Sequence, residues 1–106
     1  WSEPQVREAV QYVTGWPLTD RELMKVVERG IALARLFNIQ EGFSERDDML
    51  PKWFQNTPAE GPLKGLDPLT LAEARKTYYR IMGWASSGAP TPSTLADLGI
   101  AWSARY

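Results

Sequence analysis

Apolar residues recur at helical spacing along the chain, most clearly between Leu23 and Phe37. Positions three and four residues apart share one face of an α-helix, and the stripe here consists of Leu23, Val26, Val27, Ile31, Ala34 and Phe37, widened by Leu33 and Leu36. Thr19 precedes Glu22 by three positions, the spacing of a capping box. We therefore predict a central helix over Asp20 to Asn38, covered on more than one side.

A first, shorter helix is predicted before this one. Ser2 supplies a capping hydroxyl, Pro4 stands where a proline does little harm, and Gly15 is a suitable stop. The apolar positions between them fall on one helical face and are Val6, Ala9, Val10 and Val13.

Two more helices are predicted in the second half. Asp67-Pro68 combines an N-cap carboxylate with a proline at the first helical position, and Gly83 ends the helix that follows. Thr91-Pro92 repeats this start for a short helix with Leu95 and Leu98 facing inward. No alternating apolar run predicts a strand. The predicted fold is all-α: three main helices and a short C-terminal helix.

Residues 42–66 have no sustained periodicity and carry six glycine or proline residues. Loops of this length are uncommon inside compact domains and tend to be functional or wrapped on another surface. We predict a long loop between the second and third helices, attached to the core by Trp53 and Phe54.

Composition narrows the classes of function. The 106 residues suffice for one domain, 1–106, with a modest core. A net charge of −1 argues against a nucleic-acid partner. No stretch approaches the roughly 20 apolar residues of a membrane span. Because the chain begins with Trp1 and not with Met, we expect a piece of a longer protein.

The chain contains no cysteine and no histidine. It can therefore form no disulfide, no thiolate zinc site and no cysteine-ligated iron–sulfur cluster. The most common general base is also missing. Catalysis by this chain alone would have to use carboxylates, lysine, tyrosine or serine, and we predict no catalytic, cofactor-binding or metal-binding residue in it.

Charged side chains are concentrated around the end of the central helix. The candidate cluster consists of Arg35, Glu41, Arg46, Asp47 and Asp48. We favour a structural interpretation, in which these charges cap helix ends and hold the loop through arginine–carboxylate pairs. The alternative is a hard-metal site at Glu41, Asp47 and Asp48, although their spacing is not that of an EF-hand.

Aromatic residues are numerous, with five tryptophans, four tyrosines and three phenylalanines. They follow helical stripes or stand beside proline and glycine, which indicates core and interface packing. One alternative function follows from them: an autonomous helical interaction module that binds a partner through a tryptophan-rich face.

Taken in order, these segments resemble the C-terminal end of the aldehyde ferredoxin oxidoreductase family, the tungsten- or molybdenum-pterin enzymes. The similarity begins at Thr14-Gly15-Trp16. It is strongest at Leu36-Phe37-Asn38, Glu41-Gly42-Phe43, Asp47-Asp48 and Leu50-Pro51, and it resumes at Tyr78-Tyr79, Gly83-Trp84 and Pro90-Thr91. No single segment is specific, but the ordered series is.

The resemblance implies a C-terminal fragment of a larger cytoplasmic oxidoreductase. Members of this family oxidise aldehydes to carboxylates. They use a tungsten- or molybdenum-bis-pterin and a four-iron four-sulfur cluster, and they pass electrons to ferredoxin. The cluster cysteines and the pterin-contacting residues precede this segment, so the fragment would hold no cofactor and would be structural, not catalytic by itself. Its partners would be the remaining domains of the parent enzyme, with ferredoxin as the partner of the parent and no nucleic acid or membrane involved.

Overall fold

The computed structural model describes residues 2–52, 59–62, 64–65 and 67–105. Four α-helices follow one another along the chain: α1 (Glu3–Thr14), α2 (Asp20–Gln40), α3 (Pro68–Ile81) and α4 (Pro92–Asp97). A 3-10 helix, Ala101–Arg105, follows α4 and was not predicted. The described residues contain no strand, only an isolated bridge between Trp84 and Pro90. The all-α prediction is confirmed.

Local capping fixes the helix ends as predicted. The backbone N–H of Glu22 donates to the Thr19 hydroxyl at 3.2 Å, and the Glu22 carboxylate accepts from the Thr19 backbone N–H at 2.7 Å. The Asp67 carboxylate accepts from the Thr70 backbone N–H at 2.6 Å. Each contact satisfies a backbone donor that the first helical turn leaves unpaired. The end of α2 differs slightly, because the helix continues to Gln40 and not to Asn38.

The core lies where α4 and the chain after it pack against α2. Its buried members are Ala32, Leu95, Leu98 and Ile100, with Leu33 and Leu36 packed against them. The inward placement of Leu95 and Leu98 is thereby confirmed. α1, in contrast, contains no buried residue.

The predicted buried stripe of α2 is wrong for this chain. Val26, Val27, Ile31 and Ala34 are exposed, and Phe37 is 61% exposed. The buried residues of the helix are Ala32 and Arg35. The prediction assigned the wrong side of α2 to the interior because the buried side carries arginines. Arg29 Nε donates to the carbonyl oxygen of Leu98 at 2.8 Å, and so satisfies a carbonyl at the end of α4.

The chain is more extended than an autonomous domain of its size. Its radius of gyration is 17.5 Å, whereas a compact domain of this length has about 13 Å. Residues 41–67 join α2 to α3, which confirms the long loop. Trp53 and Phe54, the predicted anchors of this loop, lie outside the described residues. No helix in the described ranges combines the length and apolarity needed to cross a membrane.

Candidate functional site

Arg35 is the most deeply buried charge among the described residues, with 8% of its surface exposed. Its guanidinium binds the Asp48 carboxylate in a bidentate manner, Nη1 to Oδ1 at 2.8 Å and Nη2 to Oδ2 at 2.5 Å. Its Nε donates to the carbonyl oxygen of Gly88 at 2.8 Å. Bidentate arginine–carboxylate pairs of this kind fix geometry as well as adding energy. Arg35 therefore joins three parts of the chain: α2, the loop after it, and the turn after α3.

Two aromatic residues complete the site. The Tyr79 hydroxyl donates to Oδ2 of Asp48. The Arg35 guanidinium lies 5.0 Å from the centre of the Trp84 ring and 5.9 Å from that of Tyr79, within the range of cation–π attraction. We name Arg35, Asp48, Tyr79, Trp84 and Gly88 the bracing cluster.

Short local turns place Asp48 and Gly88 next to Arg35. The Ser44 backbone N–H donates to the Asp47 carboxylate at 2.8 Å, a turn that leaves the next residue, Asp48, free to reach α2. After α3, the Gly88 N–H donates to the carbonyl oxygen of Ala85 at 2.8 Å. Gly88 has φ +83°, and a Cβ there would collide with Nη2 of Arg35. Glycine at this position permits both the turn and the close approach of the guanidinium.

The electrostatics follow from these contacts. The hydrogen bond from Arg35, reinforced by that from Tyr79, holds the pKa of Asp48 below its usual value. Burial, together with the hydrogen bond to Asp48, raises the pKa of Tyr79. The hydrogen bond to Asp48 also raises the pKa of Arg35. Near neutral pH the cluster therefore holds a guanidinium, a carboxylate and a neutral phenol.

The structure brings together only part of the predicted charge cluster. Arg35 and Asp48 pair, while the neighbouring Asp47 turns back to Ser44. Glu41 lies at the end of α2, where its backbone N–H donates to Phe37, and neither it nor Arg46 forms an ion pair with a described residue. In the described ranges no group of three or more metal-ligating side chains is close enough to hold an ion. Glu41, Asp47 and Asp48 are therefore not gathered into one group in this structure.

Sequence reasoning missed Tyr79, Trp84 and Gly88 as partners of this site. The helix that contains Tyr79 was predicted, but nothing local indicates which side chain any of these three residues contacts. The five tryptophans also do not share one described surface. Trp84 belongs to the bracing cluster, Trp16 and Trp102 are exposed on separate elements, and Trp1 and Trp53 lie outside the described residues.

The bracing cluster is suited to holding segments together. Each nitrogen of Arg35 donates a hydrogen bond, and the Asp48 carboxylate accepts bonds from both Arg35 and Tyr79. A carboxylate whose charged form is this strongly stabilised is a weak general base. One polar atom of the cluster lacks a hydrogen-bond partner: Nε1 of Trp84 is buried with no acceptor in the described part of the chain.

We predict that acid weakens this cluster. Because the folded pKa of Asp48 lies below its unfolded value, the stabilisation is complete above the ordinary aspartate pKa of about 3.9 and is lost as pH falls through the folded pKa. The measurement is native-state hydrogen exchange of the Trp84 amide, which donates to the carbonyl oxygen of Tyr79. The difference in opening free energy between wild type and Asp48→Asn should be constant from neutral pH to about pH 5 and shrink below about pH 4.

The same comparison contains its own control. Glu22, Asp67 and Glu73 also have lowered pKa values, and their effects cancel because both proteins contain them. A difference that persists unchanged through the acid range would contradict the assignment to Asp48.

Comparison with known proteins identifies the family. A family model described as aldehyde ferredoxin oxidoreductase, domains 2 and 3, matches residues 1–100. The tungsten-containing aldehyde ferredoxin oxidoreductase of Pyrococcus furiosus is 38% identical over 97 residues, which is 90% of this chain and 16% of that protein. The corresponding protein of Thermococcus kodakarensis is 34% identical over 97 residues, with the same coverage. The chain thus spans about a sixth of the relatives it matches.

A solved structure has the same arrangement of helices. This structure is the active site complex BamBC of benzoyl coenzyme A reductase in complex with 1,5-dienoyl-CoA. The match covers 99% of the present chain and 15% of the matched chain of that complex, with a TM-score of 0.81. At 24% sequence identity the similarity concerns the fold alone. The sequence relatives and the family model carry the assignment, and the chain belongs to the aldehyde ferredoxin oxidoreductase family.

Proposed function

We propose that this chain is the C-terminal helical fragment, a single domain over 1–106, of a cytoplasmic enzyme that oxidises aldehydes to carboxylates and passes the electrons to ferredoxin. Family membership supports the reaction class, since the relatives are tungsten-containing aldehyde ferredoxin oxidoreductases. Within that enzyme the chain acts as a structural element that holds the loop after α2 in place, and it carries no catalytic group.

One observation carries the structural role: the polar groups of the bracing cluster bind one another around the buried Arg35 side chain. Arg35, Asp48 and Tyr79 connect α2, the following loop and α3, and their hydrogen bonds run between these elements. An arginine fixed on three sides is poorly placed to bind a substrate. Removal of one member should therefore change stability first and turnover only through loss of folded enzyme.

The donor set of the chain does not fit the family's metal groups. Iron–sulfur clusters of this kind are held by cysteine thiolates, and the chain has none. Its carboxylates also do not converge, since the described residues contain no set of three metal-ligating side chains. A four-iron four-sulfur cluster would therefore be held by the rest of the enzyme. We propose that the tungsten- or molybdenum-bis-pterin is held there too, and no step of the reaction is assigned to this chain.

The test is chemical analysis of the full-length protein purified without oxygen. We expect tungsten or molybdenum, about four irons per chain for one cluster, and reduction of ferredoxin that depends on added aldehyde. Folded protein that contains neither metal nor iron would contradict the proposal and would favour a helical domain used for binding.

A further inference from the structure

An apolar groove runs between α2 and the C-terminal end of α3, next to the bracing cluster, whose Trp84 also lines it. Met24, Val27 and Ile31 form its α2 wall, at positions that share one helical face. Ile81 stands on the opposite wall and Leu98 also lines it. The groove encloses about 400 Å³. We name it the α2–α3 groove.

Nothing in the described chain covers this groove. Met24, Val27 and Ile31 are exposed, and Ile81 is 77% exposed. Val27 and Ile31 belong to the stripe that the sequence predicts to be buried. A helical apolar stripe of this kind is the pattern of a face packed against protein, so the pattern and the exposure disagree unless another segment fills the groove.

We propose that the α2–α3 groove is an intramolecular docking site, filled by an apolar segment of the same polypeptide that lies outside these 106 residues. This inference rests on the proposed function, in which the chain is part of a larger enzyme. It goes further by assigning which face of the chain the rest of that enzyme covers.

The length of the relatives argues for an occupant from the same polypeptide. This chain matches only 16% of them, so in these relatives most of the protein that could bury such faces lies elsewhere in the same sequence. The large radius of gyration points the same way, because an open set of helices buries too little apolar surface to be a compact unit.

The groove also indicates the chemistry of its occupant. Its apolar walls favour aliphatic or aromatic side chains, which gain by leaving water. Lys25, Glu28 and Asp97 line the groove as well, so polar groups of the occupant would face these three charges.

The test places a photoreactive diazirine amino acid at position 81 of the full-length protein. Position 69 is the matched control, because Leu69 stands on the same helix, is 78% exposed in this chain and does not line the groove. Irradiation should link position 81 to a peptide of the same polypeptide from outside these residues. A mixture of light and heavy isotope-labelled protein distinguishes links within one chain from links between two copies.

A link from position 81 to a second copy, or the same linked peptide in equal yield from position 69, would overturn the proposal. Oxidation of the unsubstituted protein guards against misfolding of the variant. Of the three methionines, Met24 and Met82 line the groove and Met49 does not, and Met24 and Met49 are the two that are exposed here. We expect Met24 to oxidise several-fold more slowly in the native than in the unfolded full-length protein. Equal rates in the two states would also overturn the proposal.

Metal analysis of the same preparation separates this inference from the proposed function. A linked protein without tungsten or molybdenum would contradict the function and leave the groove assignment standing. A metal-loaded protein that gives no link from position 81 and no protection of Met24 would contradict the groove assignment alone.

Discussion

Gly88→Ala should destabilise the region around the bracing cluster by about 3–5 kcal/mol. Two costs add: alanine at φ +83° is strained by roughly 1–2 kcal/mol, and its Cβ displaces the Arg35 guanidinium from a paired, buried position. The new Cβ would also lie 3.0 Å from the Tyr79 hydroxyl. The measurement is the opening free energy at the Trp84 amide of the full-length protein, obtained by native-state hydrogen exchange.

Gly15→Ala is the matched control for backbone strain. Gly15 has φ +75°, close to that of Gly88, but a Cβ there meets nothing within 4 Å in this chain. The substitution should cost only the strain, about 1–2 kcal/mol, read from the position-15 amide that donates to Gln11. Equal losses at the two glycines would show that contact with Arg35 adds nothing at position 88.

Asp48→Asn is expected to cost about 2–4 kcal/mol. The substitution leaves the buried Arg35 charge without its counter-ion and weakens the acceptor of the Tyr79 hydroxyl, and breaking a buried pair in this way is strongly destabilising. The lower end of this estimate lies below the roughly 3–5 kcal/mol that is typical for breaking a buried ion pair, because the Asp48 side chain is 29% exposed. Hydrogen exchange at the Trp84 amide again provides the measurement.

A second aspartate in this chain provides the comparison. Asp20 binds Arg7 Nε at 2.6 Å, but its side chain is 55% exposed. Pairs between exposed groups contribute about 0–1 kcal/mol, so Asp20→Asn should change the stability of the α1–α2 junction by less than about 1 kcal/mol. Equal losses of stability from Asp48→Asn and Asp20→Asn would show that burial of Arg35 does not strengthen its pair with Asp48.

Helix limits were predictable because their signals are local. Thr19 with Glu22, Asp67 with Pro68 and Thr91 with Pro92 each act within four residues, and each begins a helix in the structure. The one difference at the end of α2 is two residues, which is within the usual variation of helix ends.

The buried face of α2 could not be predicted in the same way. Arginine is expected to face solvent, yet the inner face of this helix carries Arg29 and Arg35, whose acceptors include carbonyl groups 69 and 53 residues away. The aliphatic stripe was real as a pattern, but no described part of the chain covers it. For the same reason the cluster was found only in part: Arg35 and Asp48 were singled out, whereas Tyr79 and Gly88 reach them only through the fold.

We propose that this chain supports the active enzyme without taking part in its chemistry. The most direct test is the turnover of the full-length Asp48→Asn enzyme, expressed per bound tungsten or molybdenum, at a temperature where both it and the wild type are folded. We predict unchanged turnover per metal, together with the loss of stability described above. A turnover per metal lowered about tenfold or more, corresponding to about 1.4 kcal/mol of activation free energy, with stability unchanged, would contradict the claim and place Asp48 in the catalytic machinery.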